Sequence, residues 1–288
     1  MGTTTVTISK IFLVTFISLG IYFLNFKNQP EQIEPKSHAF LYKFDFKHHT
    51  NRPDLILTDY VVIYKTGDTT FTQFYNQMKR DSIYSHRKMS GQERFNNRVN
   101  SYPYSIKTIK NDVVFTSKVS DQYFKYEEQL QFKWNITDSI RKINSYTCQL
   151  ATTTYAGRSW NAWFTQDIPM DVGPYKFKGL PGCIVEMNDT DNIFKYSLTA
   201  FKEKKEVRLT HYPSVTKKPI EITTRKDFNK HQQAFLALSF EQRMAYAGRN
   251  RAGIIKSEFK SNDGEVNFKN KSLDLMDDYQ FIEIDHIE

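Results

Sequence analysis

The side chains best suited to touch a ligand lie on one short stretch: Arg158, Trp160 and Trp163. A guanidinium presents a planar fork that matches a phosphate or carboxylate. Arg158 is therefore either a ligand-binding cation or a structural donor to the carbonyls of the connection that follows it. Trp160 and Trp163 have opposite parity, so on one strand they face opposite sides of a sheet. One belongs to a core; the other either offers a stacking or acyl-contact surface or packs under loops. Groupings for bond-making chemistry are missing. Ser145 and Ser159 stand in no G-x-S-x-G elbow, and the glycine and lysine near Asp68 lack the spacing of a phosphate loop. Asp167 and Glu186 are too far apart in sequence to infer a carboxylate pair. His48 and His49 point to opposite faces of a strand, and the remaining histidines are scattered without the i, i+4 spacing of a metal pair. Catalytic residues, a metal and a cofactor are all expected to be absent.

The elements that must position these residues are mostly strands. Alternating apolar patterns mark Phe40 to Lys47, Leu55 to Tyr64 and Thr69 to Phe74, with Lys65-Thr-Gly-Asp68 as a hairpin turn. They return at Ser105 to Ile109, Val113 to Ser117, Gln122 to Glu127 and Leu130 to Ile136. The best-defined hairpin is Tyr146 to Tyr155 with Trp160 to Thr165, its tip at Ala156-Gly157-Arg158. After a connection from Pro169 to Pro181 come Cys183 to Asn188, Phe194 to Phe201 and a weaker run, Glu206 to Thr210. Helical spacing of Phe228, Ala234, Phe235, Leu238 and Met244 predicts one helix over Lys226 to Ala247, stopped by Gly248. A last extended piece is expected near Tyr279 to Ile284. Cys148 and Cys183, the only cysteines, sit in apolar strand patterns; they read as two buried thiols or, in an oxidising compartment, one disulfide.

Lys10 followed by the apolar run Ile11 to Leu24 has the layout of an export signal. It is shorter than the about 20 residues a spanning helix needs. Residues 1–27 are thus a cleaved signal peptide or a retained N-terminal membrane anchor, 28–38 a Pro-containing linker, and 39–288 a single β domain. The expected location is outside the cytoplasm, in the periplasm or cell envelope. The net charge of +8 is gathered at Lys79, Arg80, Arg87, Lys88, Arg94 and Arg98, and at Lys202, Lys204, Lys205 and Arg208. It suits an anionic surface or head group. No zinc-finger spacing or RNA-binding aromatic signature accompanies it, so nucleic acid is not expected as a partner.

In Gly179-Leu-Pro-Gly182 every residue has a mechanical reason. Pro181 presets φ for a turn, Gly182 supplies the positive φ that a type II turn needs, and Gly179 admits the chain without a Cβ clash. Ser145-Tyr-Thr-Cys-Gln-Leu-Ala151, Gly157-Arg158, Ala162-Trp-Phe-Thr165, Ile168-Pro169, Gly173-Pro-Tyr-Lys-Phe177 and that turn follow in order. This succession resembles the GLPGLI family of exported bacterial proteins, which has no established biochemical activity. The chain departs from the family at Cys183, where leucine is usual. The resemblance implies a mainly β (α+β) domain: a strongly curved antiparallel sheet, a half-barrel bowl, with one packed helix in the C-terminal half. It also implies a relation to the bowl-like N-terminal domain of some peptide-N-glycosidases.

Three functions follow as expectations. The first is a non-catalytic envelope protein whose concave sheet holds a lipid or other amphiphile, with Arg158, Trp160 and Trp163 as contacts. The second is a module that binds another envelope protein through a sheet edge or an aromatic surface. The third, an enzyme acting on glycans or peptides, rests on the glycosidase analogy alone, which transfers fold and not chemistry.

Overall fold

The computed structural model describes residues 36–47, 54–79, 104–119, 122–204, 219–238, 242 and 282–283. Residues 1–35, both basic clusters apart from Lys79, Lys202 and Lys204, the weak run Glu206 to Thr210 and most of the expected last extended piece lie outside these residues. Twelve strands form one open sheet. They are β1 (Ser37–Lys47), β2 (Ile56–Thr66), β3 (Thr69–Phe74), β4 (Tyr104–Ile109), β5 (Asp112–Val119) and β6 (Gln122–Gln129). The series continues with β7 (Asn135–Ile143), β8 (Tyr146–Tyr155), β9 (Arg158–Thr165), β10 (Cys183–Asp189), β11 (Phe194–Lys204) and β12 (Glu221–Ile222). Their order is β12-β6-β5-β4-β3-β2-β1-β11-β10-β9-β8-β7. Two antiparallel meanders, β2 to β6 and β7 to β11, therefore meet on either side of β1. The curved, mainly β bowl expected from the sequence is the fold observed. Among the described strands, β12 pairs with β6 in parallel.

Alternation explains the core. In β1, Phe40, Tyr42, Phe44 and Phe46 all point inward and are buried. Phe44 stacks on Tyr196 at 4.4 Å and on Phe46 at 4.8 Å. Rings at offset-stacking distance add to the area they bury. On the same face lie Val61, Ile63, Phe74, Ile106, Phe164 and Met187.

The helix α1 (Arg225–Leu236) begins with Thr224, whose hydroxyl accepts from the Asp227 N–H and donates to its carboxylate. This is a capping pair of the T-x-x-D kind. The helix ends at Leu236 with Ala237 as its cap; of the rest of the expected span, residues 239–241 and 243–247 lie outside the described residues, and Gln242 is helical. Phe228 packs against the stacked pair Phe115 and Tyr126, at 5.6 and 5.8 Å between ring centres. Another boundary differs: Leu130 to Trp134 is irregular, and the strand starts at Asn135.

Candidate functional site

The chain between β9 and β10, residues 166–182, crosses the concave face and joins the two meanders. Tyr175 reaches the first half, its ring 5.2 Å from Tyr104 and edge-on. Phe177 reaches the second, 4.9 Å from Trp160 and 5.0 Å from Phe132. Two prolines shape the path. The Met170 N–H donates to the Ile168 carbonyl and the Gly182 N–H to the Leu180 carbonyl, both at 2.8 Å. Each closes a three-residue turn centred on a proline, whose fixed φ near −65° lies close to that of an inverse γ-turn. The Gly-Leu-Pro-Gly segment is thus pinched one residue tighter than the expected type II turn. Gly179 has φ of 92° and a Cβ there would meet nothing closer than 3.6 Å, so glycine is needed for its backbone conformation and not for the Cβ clash expected. At Gly182 the reason is space: a Cβ there would stand 2.0 Å from the Thr165 carbonyl oxygen.

The loop carries a cation into the core. Tyr175 takes a left-handed backbone (φ 56°) inside a turn closed by Phe177 N–H to the Pro174 carbonyl. That turn drives Lys176 inward, where its side chain is fully buried. The ammonium donates to the Tyr126 hydroxyl (2.9 Å), to Glu128, and to Glu283 (2.7 Å). Tyr155 and Tyr175 donate to the same Glu283 oxygen, and Arg225 Nε holds the other at 2.6 Å. Burial alone would raise the Glu283 acid. Lys176 and Arg225 more than reverse that, and hold it well below the usual carboxylate range. Tyr155 and Tyr175 are pushed up, first by burial and then by the Glu283 charge. The beginning of α1, the β6 strand, the loop and Glu283 are therefore tied at one point. A cavity of ≈ 40 Å³ beside it, lined by Tyr104, Phe115, Tyr126, Tyr175 and Phe228, has room for little more than water.

A larger cleft lies on the outer side of the loop. Its volume is ≈ 380 Å³, and Lys65, Asp68, Lys110, Phe132, Asp171 and Lys178 are among the residues around it. Turns of the β2–β3 and β4–β5 hairpins form one wall. The wall is stitched by backbone bonds: Lys110 N–H to the Asp68 carbonyl, and Leu130 N–H to the Asn111 carbonyl. Trp134 Nε1 donates to the Lys178 carbonyl at 2.8 Å, and the Asp171 carboxylate accepts the Gly179 N–H at 2.6 Å.

The sequence-predicted contacts sit elsewhere. Arg158 is buried; its guanidinium pairs with Asp189 at 3.1 Å and lies over the Phe194 ring at 5.1 Å. Asp189 in turn accepts the N–H groups of Ile193 and Phe194, fixing the β10–β11 turn. Trp160 has no exposed surface and its indole N–H donates to the Tyr155 carbonyl. Trp163 faces the opposite side, as its parity demands, with the Arg141 guanidinium 4.1 Å above its ring. Arg141 also contacts Glu186, which Lys195 approaches at 3.0 Å. None of the three lines either cavity described above.

Cys148 and Cys183 are free, buried thiols. Cys183 pairs with Thr165, and the β8–β9 register places Cys148 on the other side of that same threonine. A whole strand thus separates the two sulfurs, about 10 Å between backbones, beyond disulfide reach. Burial raises Cys148 to about 11 and Cys183 to about 12. Among the described residues no group of three or more His, Cys, Asp or Glu could hold a metal ion, and no helix is long and apolar enough to cross a membrane.

The fold and loop define an open curved β-sheet domain whose concave side is filled by its own chain. Residues 157–186, which carry the Gly-Leu-Pro-Gly signature, match the model of a family described as a protein of unknown function (Porph_ging). No curated protein matches the sequence. Among solved structures the chain is similar to PNGF-II in two crystal forms, P21 and C2. Each has 13% identity and a TM-score of 0.48, covering 69% of this chain and 33% of that one. The chain spans about a third of the length of that structure.

Proposed function

We propose that this chain is a non-catalytic, exported GLPGLI-type module that recruits another envelope protein through the open edge of its sheet at β7. The observation that supports this reading is the exposure of that edge. Ile136 and Ile140 are 46% and 66% exposed. Pairing puts them on the face of Ala151, Ala162 and Phe164, which is core. The apolar face therefore runs on to an edge where described residues leave it uncovered. A strand added there would satisfy the free backbone groups of β7 and cover both isoleucines, the mode of β-strand addition. On the opposite face Trp163 under Arg141 adds the residue types that dominate interface energetics. In this reading residues 1–27 deliver the domain to the envelope, as cleaved signal or anchor.

The test is a photo-crosslinking amino acid placed at Ile140, and at Ile222 on the far edge as control, in cells making the full chain. A discrete protein adduct at Ile140 that is absent at Ile222 supports the reading. Equal background at both positions refutes it. An amphiphile held in the concave sheet has less support, because the aromatic wall packs against itself and the cavity beside Phe228 is ≈ 40 Å³. Native mass spectrometry of protein purified from its own envelope decides that reading: a discrete lipid adduct would restore it.

A further inference from the structure

We propose that the cleft between the Gly179-Leu-Pro-Gly182 loop and the β2–β3 and β4–β5 turns binds a small polar molecule carrying a phosphate or carboxylate, with Lys65 and Lys110 as the anion contacts. It does not rest on the β7 edge: the two anion contacts come from the β2–β3 and β4–β5 turns, and neither Ile136 nor Ile140 lines the cleft.

The cationic groups of the cleft are unequally occupied. Lys178 is spent: its ammonium donates to the Lys110 carbonyl and stands 4.0 Å from Asp171. Asp171 is spent as well, since its other oxygen accepts the Gly179 N–H. Lys65 is half-buried near the end of β2, and among the described residues its ammonium has neither an ion pair nor a hydrogen bond. Lys110 is exposed on the same wall and its ammonium is likewise unpaired among the described residues. A half-buried ammonium with no acceptor has lost water without gaining a partner, which a bound anion would reverse. Burial lowers the Lys65 ammonium, Asp171 and Asp68 pull it back up, and Lys178 pushes it down again.

Size and lining narrow the class. A cleft of ≈ 380 Å³ lies within the about 300–1,000 Å³ typical of small-molecule sites. At about 30 Å³ for each water it holds roughly a dozen, so a lone inorganic phosphate leaves most of it empty. The body of the ligand would meet the Phe132 ring and the side-chain amides of Asn111 and Gln131, with Asp68 as an acceptor. One aromatic face among amides and a carboxylate suits a hydroxylated ring of monosaccharide size. Because Trp134, Asp171 and the backbone bonds already fix the walls, little ordering cost falls on binding.

The experiment is calorimetric titration of the full chain with glucose 6-phosphate, glucuronate, glucose and inorganic phosphate. The two anionic sugars are expected to bind saturably, each weakened at least about tenfold by K65Q and by K110Q and weakened by added salt. Glucose is expected to give no heat, and inorganic phosphate to bind more weakly than the sugar phosphate. K195Q, on the outer face, is expected to bind as the wild type does. K110Q alters an exposed side chain, so it keeps the test valid if K65Q perturbs folding. The proposal is overturned if no anionic probe saturates by about 10 mM. Affinity unchanged in both lysine variants, or equal binding of glucose, overturns it too.

Discussion

Replacing Lys176 by methionine is expected to destabilise the domain by about 3–5 kcal/mol near neutral pH, the typical cost of removing one partner from a buried ion pair. The structure makes the upper part of that range reasonable. The Lys176 side chain is fully buried, and Glu128 and Glu283, which share it, are 13% and 6% exposed. Methionine fills much of the volume, so the loss is chiefly electrostatic: Glu283 keeps Arg225 and two tyrosine hydroxyls, and Glu128 loses its cation. The pH dependence gives a second, sharper readout. In the wild type the folded Glu283 acid lies below its unfolded value, so its contribution is complete above about pH 4.3 and disappears on further acidification. In K176M burial, which raises that acid, loses its main opponent. Only Arg225 then opposes it, so the folded acid rises towards its unfolded value, and the variant loses less stability than the wild type as pH falls below about 4.3. Urea unfolding followed by tryptophan fluorescence at about pH 7 and about pH 3 measures each term. A deficit under about 1 kcal/mol at neutral pH, or one that does not shrink on acidification, would refute the reasoning.

Trp160→Ala, which empties a fully buried site, is expected to cost about 3–5 kcal/mol, whereas Trp163→Ala should cost under about 1.5 kcal/mol and abolish the partner adduct at Ile140; thermal melts and crosslinking separate them. Gly182→Ala should destabilise more than Gly179→Ala, because a Cβ at 182 collides with the Thr165 backbone while one at 179 meets nothing closer than 3.6 Å and carries only a backbone penalty of about 1–3 kcal/mol. Cys148 and Cys183 should stay unlabelled by a thiol reagent near pH 8 in the native protein, both reacting once urea unfolds it; labelling of either at the rate of a free thiol would contradict their burial.

The strands were legible because alternation and burial coincide. Phe40, Tyr42, Phe44 and Phe46 repeat every second residue, and the predicted Tyr146 to Tyr155 is the observed β8. The same signal misled at Leu130 to Trp134. Phe132 and Trp134 alternate there because they serve the loop: Phe132 packs on Phe177 and the Trp134 indole holds the Lys178 carbonyl. A chain that lies against another loop can have the period of a strand without pairing as one. Periodicity placed Leu238 in the helix, which is capped at Ala237; Met244 lies outside the described residues. Lys176 was invisible for a different reason. Its partners Glu128 and Glu283 are 48 and 107 residues away, and the inward turn depends on a left-handed Tyr175 that no local preference predicts. Arg158 was expected to meet a ligand anion or the carbonyls of the connection after β9; its guanidinium pairs with Asp189 on the neighbouring hairpin turn, a partner that local sequence does not indicate.

One loop carries both the buried cation and the outer rim, and this links the two sites physically. Lys176 and Lys178 are separated by Phe177 alone, which is itself buried against Trp160. Once Lys176 is locked by Glu128 and Glu283, the backbone of Lys178 has little freedom, and Trp134 and Asp171 remove what remains. The Gly-Leu-Pro-Gly segment completes the constraint, since Gly182 lets the chain pass within touching distance of Thr165 and enter β10. The signature is therefore a packing device whose product is a rigid cleft wall. An anion held by Lys65 and Lys110 would meet a surface already set by the core, so loosening the core at Lys176 should weaken ligand binding at a site that Lys176 never touches.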